Sequence, residues 1–170
     1  MIPFCLILGD STGVGAAEAL AREGIRCEIH ARVGAHSSAV LEEWQGRTTP
    51  AVALIALGSN DVGDPRLDRR LVALRARTKA PRVQWLTPYN RSAAQIVTRV
   101  ADRFGDKVIP LAQLPTQDGV HPTSYRPIAR LLGWKPFSGI RKDISAETRR
   151  AWQPEASSVP VRRAVVLQMQ

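Results

Sequence analysis

Residues 4–15 read FCLILGDSTGVG, an apolar run that ends in a turn of glycines and small polar residues. The apolar part is too short for a helix and is bounded by turn residues, as is typical of a buried strand. The polar part can begin a helix with Ser11 at its N-terminus, where backbone N–H groups and the helix dipole stabilise negative charge. This stretch therefore predicts the first strand, turn and helix of an α/β fold.

The same alternation continues to residue 132. The predicted strands are residues 3–8, 27–31, 51–57, 83–86 and 108–111. Amphipathic stretches predict helices at residues 16–22, 37–44, 67–77, 92–104 and 123–132. Alternating strands and helices imply right-handed crossovers and a parallel sheet covered on both faces. Binding chemistry is then expected at the carboxyl ends of the strands.

Size and composition exclude several classes of protein. The chain has 170 residues, which is the size of one ordinary domain, with 44% hydrophobic and 23% charged residues. No apolar run approaches the roughly 18 residues of a membrane span, so neither a disordered nor a transmembrane chain is expected. The formal net charge is +9, and 20 of the 24 basic residues are Arg. Nucleic acid, anionic envelope surfaces and acidic glycans are all admissible partners of such a chain.

The two cysteines and the N-terminal segment give information about the cellular compartment of the protein. Cys5 and Cys27 are too few for a disulfide scaffold and lie in two apolar segments predicted to be neighbouring strands. Buried free thiols are the favoured interpretation, and a bridge between adjacent strands is the alternative. Residues 1–8 lack a basic start and a small-residue cleavage site. We therefore expect synthesis in the cytoplasm without a signal peptide and leave the final location open.

The turn around Ser11 matches one catalytic motif better than two binding motifs. Its glycines do not form the dinucleotide pattern, and the turn lacks the Gly-Lys-Ser/Thr ending of a phosphate loop. The pattern Gly9-x-Ser11-x-Gly13 fits a nucleophile elbow. An α/β-hydrolase, however, places several strands before its serine, whereas only one strand precedes Ser11. A different serine-hydrolase scaffold is predicted.

A second polar cluster follows the fifth predicted strand. Asp118 precedes His121 by three residues, close enough for the carboxylate to reach the imidazole. A carboxylate in that position fixes the tautomer of the ring and stabilises its protonated form. The alternative is an ordinary Asp-Gly turn with a surface histidine. The fold favours the catalytic interpretation, because this loop and the Ser11 turn lie on the same rim of the predicted sheet.

Two further loops on that rim offer hydrogen-bond donors. Gly34 follows the second predicted strand and Asn60 follows the third. The N–H of Gly34, the side-chain amide of Asn60 and the N–H of Ser11 can together form an oxyanion hole. Each loop alone is more often structural than catalytic, but their joint order is hard to obtain by accident.

These blocks, in this order and spacing, resemble the SGNH (GDSL-like) hydrolase family over residues 4–132. The blocks are Gly9-Asp10-Ser11, Gly34, Gly58-Ser59-Asn60-Asp61 and Asp118-Gly119-Val120-His121-Pro122.

The resemblance implies a flavodoxin-like three-layer α/β/α sandwich with a five-stranded parallel sheet. It also implies Ser11 as nucleophile, His121 as base and Asp118 as its partner, with the oxyanion hole formed by Ser11, Gly34 and Asn60. No cofactor or metal is required by this chemistry. Basic charge and the lack of a large lid insertion favour small acyl esters, acetyl above all, on polysaccharide or peptidoglycan.

Two alternatives to the esterase function remain open, and the first depends on how the chain is divided. Residues 1–133 form the predicted hydrolase domain, and residues 134–170 are a C-terminal extension packed on that domain or used for attachment. Attachment would make the protein a structural or binding component of a larger particle or envelope complex with this fold. A nucleic-acid-binding role is disfavoured, because the basic residues of 69–79 occupy the polar side of a predicted helix and no aromatic residues interleave with them.

Overall fold

The computed structural model describes residues 4–136, in which strands and helices alternate. The strands are β1 (Cys5–Gly9), β2 (Glu28–Ala31), β3 (Val52–Ala56), β4 (Arg82–Thr87) and β5 (Lys107–Pro110). The helices are α1 (Ser11–Arg22), α2 (Ser37–Glu43), α3 (Leu67–Arg77), α4 (Arg91–Phe104) and α5 (Arg126–Leu132), with a 3-10 turn at Leu111–Gln113. The predicted alternation of five strands and five helices is confirmed.

The five strands form one parallel sheet in the order β2-β1-β3-β4-β5. The chain runs from β1 outward to β2 and then crosses to β3, so the sheet has its switch point between β1 and β3, and ligands bind at such points in open α/β sheets. Helices α1 and α5 pack on one face, and α2, α3 and α4 pack on the other. The predicted three-layer sandwich is confirmed, and the Ser11 turn lies at the carboxyl end of β1.

Helix α1 begins at Ser11 rather than at Ala16, where the sequence pattern places its start. Asp10 is the N-cap residue, and its carboxylate accepts a hydrogen bond of 2.8 Å from the N–H of Thr12. Such a cap satisfies one of the free N–H groups of the first turn. Gly13 therefore lies inside the helix, where a Cβ would come within 3.2 Å of the Ala31 Cβ. Its role is close packing on the sheet.

The prediction of free thiols is wrong, because Cys5 and Cys27 form a disulfide. Cys5 begins β1 and Cys27 immediately precedes β2, which pairs with β1 in parallel. Strand pairing brings the two Cα atoms to 4.7 Å, within the range that a disulfide spans. The bridge ties the strand that leads to Ser11 to the edge strand of the sheet.

The start of the predicted C-terminal extension belongs to the packing of the domain. Trp134 is buried against the face covered by α1 and α5, and its indole N–H donates a hydrogen bond of 2.7 Å to Gln84 Oε1 on β4. Residues 137–170, and with them the predicted attachment segment, lie outside the described residues. In the part of the chain that is described, no helix has the length and apolar character needed to cross a membrane.

Candidate active site

Ser11, His121 and Asp118 form a continuous chain of hydrogen bonds at the carboxyl rim of the sheet. Ser11 Oγ lies 2.8 Å from Nε2 of His121, although 110 positions separate the two residues. Nδ1 of the same ring lies 2.7 Å from Asp118 Oδ2. The structure thus brings together the three residues that the sequence predicts as nucleophile, base and orienting carboxylate.

The Ser11 side of the site rests on buried supports. Ser11 is the first residue of α1, so its N–H precedes the bonds made within the helix. Asp10 beneath it is completely buried, and Oδ1 accepts a second hydrogen bond, of 2.7 Å, from the Thr12 hydroxyl. Burial raises the pKa of the Asp10 carboxyl, and the two hydrogen bonds from Thr12 partly oppose that rise. The hydroxyl of Ser11 is therefore presented by a capped helix end that the core holds in place.

The imidazole partner lies in an exposed loop. Asp118 Oδ1 accepts hydrogen bonds from the N–H groups of His121 at 2.7 Å and Val120 at 2.9 Å. The backbone N–H of His121, then its ring, then the Val120 N–H hold the pKa of Asp118 well below its usual value. The side chains of His121 and Asp118 are 41% and 54% exposed. Asp118 is thus a carboxylate fixed by its own turn, with one oxygen free for the ring.

Thr116 supports this loop, a role that the sequence analysis missed. Its hydroxyl donates to the carbonyl oxygen of His121 at 2.7 Å and accepts from the N–H of Gly119 at 2.9 Å. Thr116 also pairs with Pro122 in an isolated antiparallel bridge. The signal in the sequence is a threonine two residues before an Asp-Gly turn, where a hydroxyl can bind the backbone of the turn. Thr116 closes the base of the loop that carries the imidazole.

The two predicted oxyanion residues lie in adjacent loops that are hydrogen-bonded to each other. Gly34, between β2 and α2, has a φ of +73°, which a glycine adopts without strain. The Asn60 side-chain amide donates a hydrogen bond of 3.1 Å to the carbonyl oxygen of Ala35, the residue after Gly34. An amide nitrogen carries two N–H groups, so one remains for a ligand. The structure therefore joins the Asn60 loop to the Gly34 loop at the same rim as Ser11.

Asp61 is a second connection between these loops, and its role was not assigned from the sequence. Its side chain is fully buried and accepts hydrogen bonds from the Ser37 N–H at 3.1 Å and the Ser37 hydroxyl at 2.9 Å. Ser37 begins α2, and the preceding His36 provides no side-chain cap. The carboxylate of Asp61 thus caps α2 from another loop, and the imidazole of His36 remains 61% exposed.

No family model matches the chain, and no curated protein matches it. Several solved structures do match it. An aryl esterase from M. smegmatis matches with a TM-score of 0.55 at 13% identity, over 76% of this chain and 97% of that one. The C-terminal catalytic domain of the Streptococcus pneumoniae peptidoglycan O-acetyltransferase A matches with a TM-score of 0.52 at 17% identity, over 77% and 88%.

A third match is a carbohydrate acetylesterase family member from Sinorhizobium meliloti. Its TM-score is 0.50 at 17% identity, over 76% of this chain and 99% of that one. These structures are esterases and an acetyltransferase of the SGNH type. The chain has the SGNH hydrolase fold. The fold that the four sequence blocks implied is therefore confirmed, and the blocks occupy the loops after β1, β2, β3 and β5 of that SGNH fold.

Proposed function

We propose that the protein is a serine esterase that hydrolyses small acyl esters, acetyl esters in particular. One observation carries the proposal: the hydroxyl of Ser11, at a helix N-terminus, is 2.8 Å from an imidazole that is itself 2.7 Å from a carboxylate. A serine is a weak nucleophile unless a neighbouring base accepts its proton, and this arrangement supplies the base and the group that orients it.

In the first step, Oγ of Ser11 attacks the carbonyl carbon of the ester while Nε2 of His121 takes the hydroxyl proton. Asp118 holds the ring through Nδ1 and stabilises the imidazolium that forms. Its lowered pKa keeps it ionised for that task. The carbonyl oxygen becomes negative in the tetrahedral intermediate. The donors available to it are the N–H groups of Ser11 and Gly34 and the free N–H of the Asn60 amide.

In the second step, the imidazolium gives its proton to the oxygen of the leaving alcohol as the carbon–oxygen bond breaks. The acyl group then remains on Ser11 as an ester. A water molecule, deprotonated by His121, attacks this ester through a second tetrahedral intermediate. Collapse of that intermediate returns the proton to Ser11 and releases the carboxylic acid.

Hydrolysis of the acyl-enzyme needs a water molecule within reach of the imidazole. The 41% exposure of the His121 side chain lets water reach the imidazole from the solvent side. An acylated glycan is the substrate class that fits the molecule best. The net charge of +9 attracts acidic polymers, and two structural neighbours are a carbohydrate acetylesterase and a peptidoglycan O-acetyltransferase.

The test is a series of p-nitrophenyl esters from acetate to octanoate, together with O-acetylated xylan and O-acetylated peptidoglycan. Wild type and Ser11→Ala are compared. We expect the highest kcat/KM on acetate and a loss of about 10⁶-fold in Ser11→Ala, the size expected when a nucleophile is removed. Ser92→Ala is the matched control, because Ser92 is also in the first turn of a helix but is exposed on α4. Equal rates for wild type and Ser11→Ala on every ester would refute the proposal.

A further inference from the structure

Tyr89 lies two residues beyond the end of β4, at the carboxyl rim of the sheet. The last residue of β4, Thr87, pairs with Pro110 at the end of β5, and the chain continues from there through the 3-10 turn to Leu114. Tyr89 and Leu114 therefore follow neighbouring strands at the same rim. The hydroxyl of Tyr89 donates a hydrogen bond of 3.1 Å to the carbonyl oxygen of Leu114, across 25 positions of the chain.

The backbone around Tyr89 is held in place on both sides. Pro88 before it is buried, and Asn90 after it is the N-cap residue of α4, whose side chain accepts a hydrogen bond of 3.1 Å from the N–H of Ala93. The ring of Tyr89 is half-buried and packs, like the side chain of Leu114, against the apolar cluster between the sheet and helices α1 and α5. The Tyr89 hydroxyl is therefore a fixed point at the rim.

Leu114 begins the loop that carries the imidazole. The next residue, Pro115, accepts a hydrogen bond of 2.8 Å from the N–H of Thr123, so the two ends of the loop are joined. The hydroxyl of Thr116 joins them again through the carbonyl oxygen of His121. These bonds connect the loop to itself and stiffen it, but they do not fix it to the sheet. The bond to Leu114 from the end of β4 connects the stiffened loop to the sheet.

The Tyr89 hydroxyl is also close to the polar groups inside the loop. Burial raises the pKa of Tyr89, the hydroxyl of Thr116 lowers it, and the negative charge of Asp118 raises it further. An effect of that charge on the phenol requires the two groups to lie near each other. With a raised pKa the phenol keeps its proton at neutral pH, so it remains a donor to Leu114.

We propose that Tyr89 is a positioning residue for catalysis: its hydrogen bond to Leu114 holds the loop so that the imidazole of His121 stays within reach of the nucleophile. The inference rests on the proposed esterase function and adds to it a residue that acts through the base. The 2.8 Å contact between Ser11 and His121 joins a turn built on the core to an exposed loop, so it depends on where the loop is held. A misplacement of about 1 Å can cost about 100-fold in rate.

The experiment removes one oxygen atom with Tyr89→Phe, which keeps the ring and its packing. We expect kcat on p-nitrophenyl acetate to fall about tenfold while KM stays within about twofold, because the loop holds the base and not the ester. Inactivation by phenylmethylsulfonyl fluoride, which reacts with an activated serine, should slow by a similar factor. Tyr125→Phe is the matched control, since the buried hydroxyl of Tyr125 has no hydrogen-bond partner among the described residues and its loss should leave kcat within about twofold.

A double variant tests whether Tyr89 acts through the base. In the Asp118→Asn background the imidazole is no longer oriented, so the position of the loop matters less. Tyr89→Phe should then change the residual rate by less than about twofold. A residue that only stabilises the fold would lower the rate by the same factor in both backgrounds.

A kcat for Tyr89→Phe within about twofold of wild type would overturn the inference, as would a change in KM alone or an undiminished loss in the Asp118→Asn background. Hydrogen exchange of the loop amides provides a readout without catalysis. Tyr89→Phe should exchange faster than Tyr125→Phe at residues 116–121, and equal exchange would also overturn the inference. Faster exchange supports the anchoring of the loop by Tyr89 even if Ser11→Ala refutes the esterase.

Discussion

The two halves of the proposed catalytic centre are held in place by different means. The Ser11 turn is built on the core: β1 is fully buried, Asp10 beneath the turn is inaccessible to solvent, and Gly9 lies against β3. The loop with Asp118 and His121 is largely exposed and is held by hydrogen bonds among its own residues and by Thr116.

The position of the nucleophile and the charge of the carboxylate beside the imidazole are therefore fixed by different kinds of interaction. Packing fixes where the nucleophile is, so changes at the Ser11 turn act first on folding. Local hydrogen bonds fix the orientation and charge of the imidazole partner, so changes in the loop act first on activity. Four predictions, in order of decreasing size, test this separation.

The largest effect is expected from Asp118→Asn. The amide cannot stabilise the imidazolium and favours the wrong tautomer of His121, so kcat on p-nitrophenyl acetate falls by about 10⁴-fold. Asp118 is 54% exposed, so the melting temperature at neutral pH falls only by a small amount. Kinetics and thermal melting of the same preparation measure both effects. A large loss of stability with activity retained would reverse the proposed division between the two regions.

The disulfide should affect stability without affecting catalysis. Cys5 and Cys27 are 22 positions apart, and closing a loop of that length is worth about 3 kcal/mol in the chain-entropy model. The double variant Cys5→Ala/Cys27→Ala is therefore expected to lose that much free energy of unfolding while its folded fraction keeps the kcat of wild type. Urea denaturation with and without dithiothreitol measures the loss, because the reductant destabilises only the wild type. Equal sensitivity of both proteins to the reductant would contradict the prediction.

Gly9→Ala should destabilise the Ser11 side through packing. The new Cβ would lie 2.7 Å from the carbonyl oxygen of Ala56, a backbone atom of β3 that has little freedom to move. Overpacking of this kind costs about 1–3 kcal/mol of unfolding free energy. Gly9→Val extends the series and is expected to lose more. Chemical denaturation of the three proteins provides the measurement. A Gly9→Val protein as stable as wild type would show that the backbone of the turn can shift to accept a side chain despite its burial.

The smallest effect is the contribution of Asp118 to stability in acid. Its pKa is lowered in the folded state, so its ionised form stabilises the fold at all pH values above the ordinary value of 3.8. That contribution is lost progressively as pH falls below 3.8. We expect the melting temperatures of wild type and Asp118→Asn to converge as pH is lowered through this range. Curves that stay parallel down to about pH 2 would show that Asp118 does not contribute.

Much of this protein could be predicted from residue patterns, and the errors have identifiable physical causes. Between residues 4 and 136, the pattern of apolar residues predicts each strand and each α-helix, because burial on a sheet requires it. Helix α1 starts earlier than predicted because the cap at Asp10 outweighs two glycines in the first turns. Helix α5 starts at Arg126, later than predicted, with a proline in its first turn. Cys5 and Cys27 were wrongly predicted to be free thiols, because the residues of one strand do not show how close its cysteine lies to a cysteine in another strand.

Residue patterns alone are enough to predict the α/β alternation, the four rim blocks and the residue types that acyl chemistry needs, since these depend on local periodicity and on short motifs. The fold as a whole is needed to bring Oγ of Ser11 to His121 across 110 positions of the chain and to join two loops through Asp61 and Asn60. Those features depend on distances between segments far apart in the chain. Such distances are set by the packing of both helical layers on the sheet.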